Sequence, residues 1–279
     1  MRIDQCLREA QQRLSSVSDT EKLDTELLLA HCLTVTRTYL FTWSDKEVDE
    51  SNLSRFDAML ERRISGEPIA YILGKQDFWS LELEVAPSTL IPRPDTERLV
   101  EVALDLMAVV QVPRILDLGT GTGAIALALA KERQDAVVTG ADYVEDAVNL
   151  AKCNAANNEL DVHFLQSDWF SDIPLSEQYH LIVSNPPYID PNDKHLSEGD
   201  VRFEPESALI ADDEGMGDIH RILDEAPKFL CGQGWLVFEH GYDQGEKVRD
   251  AFALRGFESI KTFIDYGGND RVTIGQKGS

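Results

Sequence analysis

The chain has 279 residues, a length that suits about two domains at roughly 150 residues each. Its hydrophobic content of 43% and charged content of 27% are ordinary for a globular protein, and no run of about 20 apolar residues predicts a transmembrane helix. The net charge of −24 disfavours a nucleic acid as the main substrate, because a field of that sign repels polyanions. A basic segment of a protein is a more natural partner, although solubility alone also explains the charge.

Cysteine usage and the N-terminal segment both favour a cytoplasmic protein. Cysteine occurs at four separated positions, Cys6, Cys32, Cys153 and Cys231, which predicts reduced thiols rather than disulfide bonds. Neither cysteine nor histidine occurs in the close pairs that metal ligation requires, so no metal site is expected. The first residues, "MRIDQCLREAQQRL", lack the apolar centre of a secretory signal.

Residues 1–73 show the periodicity of helices. Apolar residues recur every three or four positions in the first segment, at Ile3, Leu7, Ala10 and Leu14. Asp24 is a candidate N-cap for the next helix, "DTELLLAHCL", and Gly66 can end a third helix over "SNLSRFDAMLERRIS". We therefore expect a small helical domain over this part of the chain.

Residues 74–92 predict a β-hairpin that links the helical domain to the rest of the chain. In "LELEV" apolar and acidic side chains alternate, which is typical of a half-exposed strand. Pro87 and Ser88 provide a turn, and "TLIP" is the expected partner strand. Pro94 and Asp95 then open a helix over "PDTERLVEVALDLMA".

Strands and helices alternate from residue 113 onwards. The segments "RILDLG", "AVVTGAD", "VHFLQSD", "HLIVSN" and "GWLVFEHG" predict strands, with helical segments between most of them. Such alternation predicts a parallel sheet that is covered on both faces. The last two segments, "ESIKTFIDY" and "DRVTIGQK", predict an antiparallel hairpin. We expect residues 93–279 to form one α/β domain.

A glycine-rich loop connects the first of these strands to its helix. In "LDLGTGTGAIALALA" the loop residues are Gly119, Thr120, Gly121, Thr122 and Gly123. Glycine lets the backbone turn sharply and approach a ligand closely, and the following helix N-terminus offers free N–H groups. The spacing differs from the G-x-G-x-x-G of dinucleotide-binding folds, and the Lys-Ser/Thr pair of a phosphate-binding P-loop is absent. The five residues are candidates for binding a cofactor.

Acidic residues follow the next two strands. Asp142 ends the second strand about 20 residues after the glycines, where an acid is placed to accept hydrogen bonds from ribose hydroxyls. Asp168 and Trp169 follow the third strand, and they can accept from an adenine amino group and stack on the ring, respectively. Because open α/β sheets bind ligands at the carboxyl ends of their strands, these residues together predict a nucleoside-type ligand. Asp142 alone is also open to a helix-capping role.

The fourth strand ends in "NPPY", residues 185–188. In isolation "NPP" is typical of a turn that begins a loop. Taken together, "DLGTGTG", Asp142, "SDWF" and "NPPY" resemble in order and spacing the motifs of class I S-adenosylmethionine-dependent methyltransferases. The resemblance implies a Rossmann-like sheet, S-adenosyl-L-methionine as cofactor and S-adenosyl-L-homocysteine as product. It also implies that the methyl acceptor is a planar NH2 nitrogen.

The "NPPY" corner offers the chemistry that such a nitrogen needs. The lone pair of an amide or aryl amine is delocalised, and two acceptors on its two N–H groups favour a pyramidal, nucleophilic nitrogen. We expect the side-chain oxygen of Asn185 and the carbonyl of Pro186 to be these acceptors, with Pro187 keeping the corner stiff. Tyr188 is expected to pack on the planar group, and Asn185 is also a candidate contact of the cofactor. A methyl carbon about 3 Å away then transfers by direct displacement, without a strong base.

Two kinds of enzyme use this corner, adenine-N6 nucleic-acid methyltransferases and protein-glutamine methyltransferases. The acidic balance disfavours the first kind, and a base in duplex DNA has to be flipped out of the stack. Longer segments resemble the release factor glutamine methyltransferase family (PrmC, also called HemK) over nearly the whole chain: "GEPIAYILGKQDFWSLELEV", "LIPRPDTE", "VSNPPYID", "DVRFEPESAL" and "HGYDQGEKVR". A cofactor-binding interaction protein without catalysis is the third hypothesis.

The family resemblance implies a specific reaction in translation termination. It implies methylation of the N5 amide nitrogen of the glutamine in the Gly-Gly-Gln tripeptide of class-1 peptide-chain release factors. It implies that the helical domain helps to hold the release factor and that "LIPRPDTE" lies beside the active site. Arg93 and Glu97 within that stretch are open to functional or structural roles. The acidic loop over residues 190–200 is open to a lid or docking role or to that of a solvated loop.

Overall fold

The computed structural model describes residues 1–197 and 199–278, so Glu198 of the predicted acidic loop and Ser279 lie outside the described residues. The α-helices are α1 (Ile3–Leu14), α2 (Glu21–Leu33), α3 (Arg37–Thr42), α4 (Glu50–Ile64), α5 (Ile69–Leu73), α6 (Glu97–Met107), α7 (Ala124–Glu132), α8 (Glu145–Asn157), α9 (Asp212–Gly215), α10 (Gly217–Phe229) and α11 (Gly245–Leu254). The strands are β1 (Lys75–Phe78), β2 (Leu81–Glu84), β3 (Arg114–Leu118), β4 (Val137–Asp142), β5 (His163–Gln166), β6 (Tyr179–Ser184), β7 (Leu230–Glu239), β8 (Glu258–Ile264) and β9 (Asp270–Gln276). Short 3-10 helices span Pro94–Thr96, Lys194–Ser197, Val201–Phe203 and Glu206–Ala208.

The chain divides into two compact units. The first comprises Met1–Lys75 together with Ser197–Phe203, and the second comprises Gln76–Leu196 and Glu204–Ser279. The first unit contains α1–α5 around its own apolar core. The four apolar residues that the periodicity of α1 singles out are all buried in that core, Ile3, Leu7, Ala10 and Leu14.

Asp24 does not cap α2, and the expectation that it would is wrong. The helix begins three residues earlier, and Asp24 lies buried in its first turn. Its carboxylate accepts hydrogen bonds from Ser18 Oγ (2.8 Å), Thr20 Oγ1 (2.9 Å) and Arg63 Nε (2.8 Å). Arg63 also donates to Asp200 at 3.0 Å. Asp24 is therefore a buried ion-pair partner that connects α2 with α4.

The linker forms a two-stranded sheet, but the partner of β2 is β1 and not "TLIP". The turn between β1 and β2 contains Trp79 with a φ of 57°, and its N–H donates to the Glu97 carboxylate at 2.7 Å. Residues 86–93 are irregular. The N–H of Ile91 donates to the buried carboxylate of Glu204 at 3.0 Å instead of to a strand. This side-chain acceptor replaces the pairing that the sequence suggested.

The second unit is built around a seven-stranded sheet with the order β5-β4-β3-β6-β7-β9-β8. Strands β3 to β7 pair in parallel, and β9 pairs antiparallel with β7 and β8, which confirms the predicted terminal hairpin. Helices α6, α7 and α8 contribute to one apolar layer, and α10 and α11 contribute to another. Successive residues of β3 and β6 enter different layers, as expected for a sheet covered on both faces.

The order in which successive strands are added to the sheet reverses between β3 and β6. Strands β4 and β5 lie on one side of β3, whereas β6 and β7 lie on the other. Leu118 and Ser184 are register partners at the carboxyl ends of these two strands, and Ser184 Oγ donates to the Leu118 carbonyl at 2.7 Å. Open α/β sheets bind ligands at such a switch point. The glycine loop and the "NPPY" corner therefore leave the sheet next to each other.

Candidate active site

A cavity of about 370 Å³ lies at the carboxyl ends of β3, β4 and β6. This volume is within the range of small-molecule sites, roughly 300–1,000 Å³. Most of the residues that the sequence singled out line its wall: Gly119, Thr120, Gly121, Thr122, Asp142, Asp168, Trp169, Asn185 and Pro187. In the described part of the chain, Gly123, Pro186 and Tyr188 are outside this lining.

The glycine loop uses its glycines for two different purposes. Gly121 has a φ of 55°, and a Cβ there would meet nothing within 4 Å, so its backbone is open to a ligand. Gly123 has a φ of 84°, and a Cβ there would lie 3.1 Å from Phe164 and 3.2 Å from Ala151. Gly121 therefore borders the cavity, whereas Gly123 allows the start of α7 to pack closely against its neighbours.

Asp117, in β3, holds the glycine loop in place through its carboxylate. Its Oδ2 accepts from Thr120 Oγ1 at 2.6 Å and from the N–H of Ala126 at 3.2 Å, so the Thr120 hydroxyl is already engaged. The residue is fully buried, and this burial raises the pKa of its carboxyl to about 7. Among the described residues its Oδ1 has no hydrogen-bond partner. Asp117 was not among the predicted site residues, although the acid in "LDLG" was the available signal.

Asp142 combines the two roles that the sequence left open. Its Oδ2 accepts from the N–H of Gly121 at 2.8 Å, and its Oδ1 accepts from the N–H of Val144 at 2.9 Å, directly before α8. It therefore fixes the glycine loop and also binds an N–H at the helix start. Burial raises the pKa of Asp142, while these backbone hydrogen bonds oppose the shift. An ionised carboxylate has about four acceptor positions, so it can also accept from a ribose hydroxyl.

Asp168 and Trp169 also line the cavity, and the Trp169 ring lies against the glycine loop. Asp168 Oδ2 forms an ion pair with Arg221 Nη2 at 2.9 Å, and both side chains are about half exposed. Trp169 has a φ of 51°, and its ring lies 3.5 Å from the position of a Cβ on Gly119. Burial raises the pKa of Asp218, and a hydrogen bond from the Trp169 side chain opposes that shift. The ring is thus held on one side by a carboxylate and faces the glycine loop with the other.

Asn185 is held by polar groups behind the cavity wall. Its Nδ2 donates to Thr96 Oγ1 at 3.4 Å. Glu239, the last residue of β7, interacts with the Asn185 side chain, which lowers the pKa of that carboxyl. Thr96 binds the Nδ2 end of the amide, and an ionised carboxylate can only accept hydrogen bonds, so both neighbours favour an Oδ1 that is available to the cavity.

The backbone after the prolines is fixed from two further segments. The carbonyl of Tyr188 accepts from Gln244 Nε2 at 3.0 Å, and the N–H of Ile189 donates to the Leu209 carbonyl at 2.9 Å. Gly215 packs so closely that a Cβ on it would lie 2.1 Å from the Tyr188 oxygen. Burial also raises the pKa of the Tyr188 hydroxyl, so this side chain is neutral at physiological pH.

The "LIPRPDTE" segment contributes Arg93 and Thr96 to the cavity wall. Arg93 Nη2 contacts the fully buried carboxylate of Glu204 at 2.5 Å. Glu97 instead binds the turn between β1 and β2, which favours a structural role for it. Asn154, buried in α8, donates to the Thr122 carbonyl at 2.9 Å and so supports the glycine loop. Neither Asn154 nor Glu204 was predicted as a site residue: Asn154 is a lone polar residue within a helix, and "DVRFEPESAL" gives no local sign that Glu204 contacts Arg93.

Residues 1–197 and 199–278 contain no helix with the length and apolar character needed to cross a membrane. Within the same ranges, no group of three or more His, Cys, Asp or Glu side chains is arranged to hold a metal ion.

The fold and the cavity together define a class I S-adenosylmethionine-dependent methyltransferase. The family described as "PrmC N-terminal domain" matches residues 5–74, and that described as "Methyltransferase small domain" matches residues 99–200. A methyltransferase from Pyrococcus furiosus shares the fold, with a TM-score of 0.55 and 18% identity over 80% of this chain and 100% of that one.

Curated relatives identify the family more closely. The release factor glutamine methyltransferase of Aliivibrio fischeri is 53% identical over 260 residues, which are 93% of this chain and 91% of the relative. The protein of the same name from Escherichia coli K12 is 49% identical over 271 residues, or 97% of both chains. The chain therefore belongs to the release factor glutamine methyltransferase family, as its motifs indicated.

Proposed function

We propose that this chain transfers a methyl group from S-adenosyl-L-methionine to the N5 amide nitrogen of the glutamine in the Gly-Gly-Gln motif of class-1 peptide-chain release factors. The observation that carries the proposal is the "NPPY" corner at the wall of the cavity, with the oxygen of Asn185 left available by its partners. Family membership supports the same substrate. We place the activity in the cytoplasm, where release factors act, and we assign no direct role to nucleic acid or membrane.

The glycine loop and the two acids suit the cofactor. Gly121 presents an open backbone, Asp142 offers acceptors for a ribose, and Trp169 offers a flat apolar face. We assign Asp168 to the adenine amino group, for which it shares its carboxylate with Arg221. When bound, S-adenosyl-L-methionine supplies an electrophilic methyl carbon on a positively charged sulfur.

The corner then prepares the substrate amide. Asn185 Oδ1 and the Pro186 carbonyl accept the two N–H hydrogens, which weakens conjugation of the nitrogen lone pair with the carbonyl. Tyr188 packs against the plane of the amide and stays neutral because burial raises its pKa. With the cofactor bound, this arrangement would aim the nitrogen lone pair at the methyl carbon; the new carbon–nitrogen bond would form as the carbon–sulfur bond breaks, and the nitrogen would release its extra proton to water. The prolines keep both acceptors in place throughout, because their φ angles are fixed.

The decisive experiment is mass spectrometry of a purified release factor after incubation with this protein and S-adenosyl-L-methionine. One added methyl on the Gly-Gly-Gln glutamine establishes the substrate and the reaction. Asn185→Ala should abolish the transfer while leaving most of the cofactor affinity intact, measured by calorimetry. Retained turnover in Asn185→Ala would contradict the role of the asparagine.

The same experiment distinguishes the two alternative functions by their results. Methylation of DNA or RNA in a parallel reaction, with no change in the release factor, would make the chain an adenine-N6 methyltransferase. Cofactor binding without transfer to either would indicate a non-catalytic protein. The net charge of −24 disfavours the adenine-N6 alternative, since nucleic-acid binding normally needs a basic face.

A further inference from the structure

Glu239 is a buried carboxylate directly beside the corner. Ser184 and Phe238 are register partners in β6 and β7, so the residues that follow them, Asn185 and Glu239, leave neighbouring strands side by side. Glu239 is only 1% exposed. The side chains of Thr96 and Asn185 interact with its carboxyl and lower its pKa, while its Oε2 has no hydrogen-bond partner among the described residues. Burying a carboxylate is costly, so its position next to Asn185 requires an explanation.

We propose that Glu239 is a positioning residue for the methyl transfer, and that its carboxylate selects the orientation of the Asn185 amide. This inference rests on the function proposed above. The two ends of an asparagine amide have almost the same shape, and only their hydrogen-bond partners distinguish them. An ionised carboxylate only accepts hydrogen bonds, so it binds the Nδ2 end and turns the Oδ1 end to the cavity. The opposite orientation would place two donors against the NH2 of the substrate.

The surroundings of Glu239 make this selection depend on pH. Burial raises the pKa of Glu239 to about 7, and the negative charge of Asp95 acts in the same direction. The hydrogen bonds from Thr96 and Asn185 and the positive charge of Arg271 oppose the shift. Tyr188 also faces the carboxyl but is neutral, because burial raises its own pKa.

Protonation of Glu239 changes what it offers to Asn185. A protonated carboxyl is a donor, and it can donate to Asn185 Oδ1 and so hold the amide in the reversed orientation. The turnover number should therefore fall as the pH is lowered through about 7. The affinity for the cofactor should not follow this titration, because Glu239 is not part of the cavity lining.

Two substitutions of Glu239 distinguish its effect on the orientation of the Asn185 amide from the effect of its own charge. Glu239→Leu removes the acceptor, and we expect kcat to fall by about tenfold or more, which is less than the roughly 10²–10³-fold lost with a preorganised group that touches the reacting atoms. KM for the release factor and the cofactor Kd should change by less than about twofold. Glu239→Gln keeps an acceptor for Asn185 Nδ2 but cannot titrate, so it should restore most of kcat and remove the pH dependence near 7. Thr96→Val removes the second acceptor of Asn185 and one partner of Glu239 but keeps the carboxylate, so it should give a smaller loss.

The orientation of the Asn185 side-chain amide can also be detected without an activity assay. The side-chain NH2 signals of Asn185 are identified in a proton–nitrogen NMR spectrum by their absence in Asn185→Ala. They should shift with a midpoint near pH 7 in the wild-type protein and remain constant in Glu239→Gln. If the wild-type protein methylates no release factor, the proposed function fails, and this spectrum still decides the role of Glu239.

Three results would overturn the positioning role. One is a kcat of Glu239→Leu within about twofold of the wild type. Another is a Glu239→Gln variant that keeps the wild-type pH profile, which also decides the matter if the leucine variant does not fold. The third is an Asn185 NH2 signal that does not respond to pH in the wild-type protein.

Discussion

Gly215→Ala should lower the rate of methyl transfer by displacing the "NPPY" corner. Gly215 has a φ of 80°, and a Cβ built on it would lie 2.1 Å from the Tyr188 carbonyl oxygen. A carbon and an oxygen in contact are normally about 3.3 Å apart, so the alanine must displace the corner by roughly 1 Å. A misplacement of that size can cost about 10²-fold in rate. We expect a loss of this order in kcat, with the cofactor Kd nearly unchanged.

Gly256→Ala is the matched control for backbone strain. Gly256 has a φ of 74°, and a Cβ there would meet nothing within 4 Å. Both variants place alanine in the left-handed region, which costs roughly 1–2 kcal/mol. The control should lose that much free energy of unfolding in denaturant titrations and keep its kcat. Gly215→Ala should lose more stability, because the clash adds to the strain.

The assay for this pair is the single-turnover rate of methyl transfer to a release factor, with cofactor affinity measured separately by calorimetry. Single turnover isolates the chemical step from product release. The reasoning is refuted if Gly215→Ala transfers methyl groups as fast as Gly256→Ala. A parallel loss of cofactor affinity in Gly215→Ala would also contradict it, since that outcome means that the cavity has collapsed as a whole.

Three further predictions concern single side chains of the site. Tyr188→Phe should keep kcat within about threefold, because the contact that we propose with the amide uses the ring and not the neutral hydroxyl, whereas Tyr188→Ala should lose much more in the same rate assay. Trp169→Ala should weaken cofactor binding about 10- to 100-fold in calorimetry, the usual value of one stacked base, and an unchanged Kd would exclude stacking. Burial raises the pKa of Asp117 from 3.8 to about 7 in the folded state alone, so the wild-type protein should become less stable as the pH rises from 3.8 to about 7. The variant Asp117→Asn cannot titrate at this position and should not show that loss. The difference in free energy of unfolding between Asp117→Asn and the wild type should grow over this range by at most about 4 kcal/mol, and a constant difference would show that Asp117 does not titrate there.

The elements that the sequence predicted correctly depend on local patterns. The strands from β3 to β9 are short apolar or alternating runs between glycines, acids and prolines, and such runs need no distant partner to be recognised. The glycine loop and "NPPY" are contiguous as well. Both follow parallel strands, and the carboxyl ends of such strands meet at one edge of the sheet.

The features that the sequence did not predict depend on distant partners. "TLIP" did not pair with β2, because Ile91 donates to Glu204, which lies 113 residues further along the chain. Asp24 was read as a cap, but its ion pair with Arg63 spans 39 residues and buries it within the helix. The carboxylates of Glu204 and Glu239 interact with residues of the cavity wall only once the chain has folded. A single sequence gives no local signal for contacts of this kind.

The support of the corner follows from its own chemistry. Pro186 and Pro187 have no N–H groups, so the corner cannot hold its shape through hydrogen bonds that these residues donate. The same lack of donors is what makes it suitable for an NH2 substrate. Its rigidity must therefore come from elsewhere, and Gln244, which lies 56 residues after Tyr188, supplies the donor for the Tyr188 carbonyl. A corner that offers acceptors to the substrate thus depends on "HGYDQG" for its shape, and substitutions there should lower kcat while leaving the glycine loop and the cofactor unaffected.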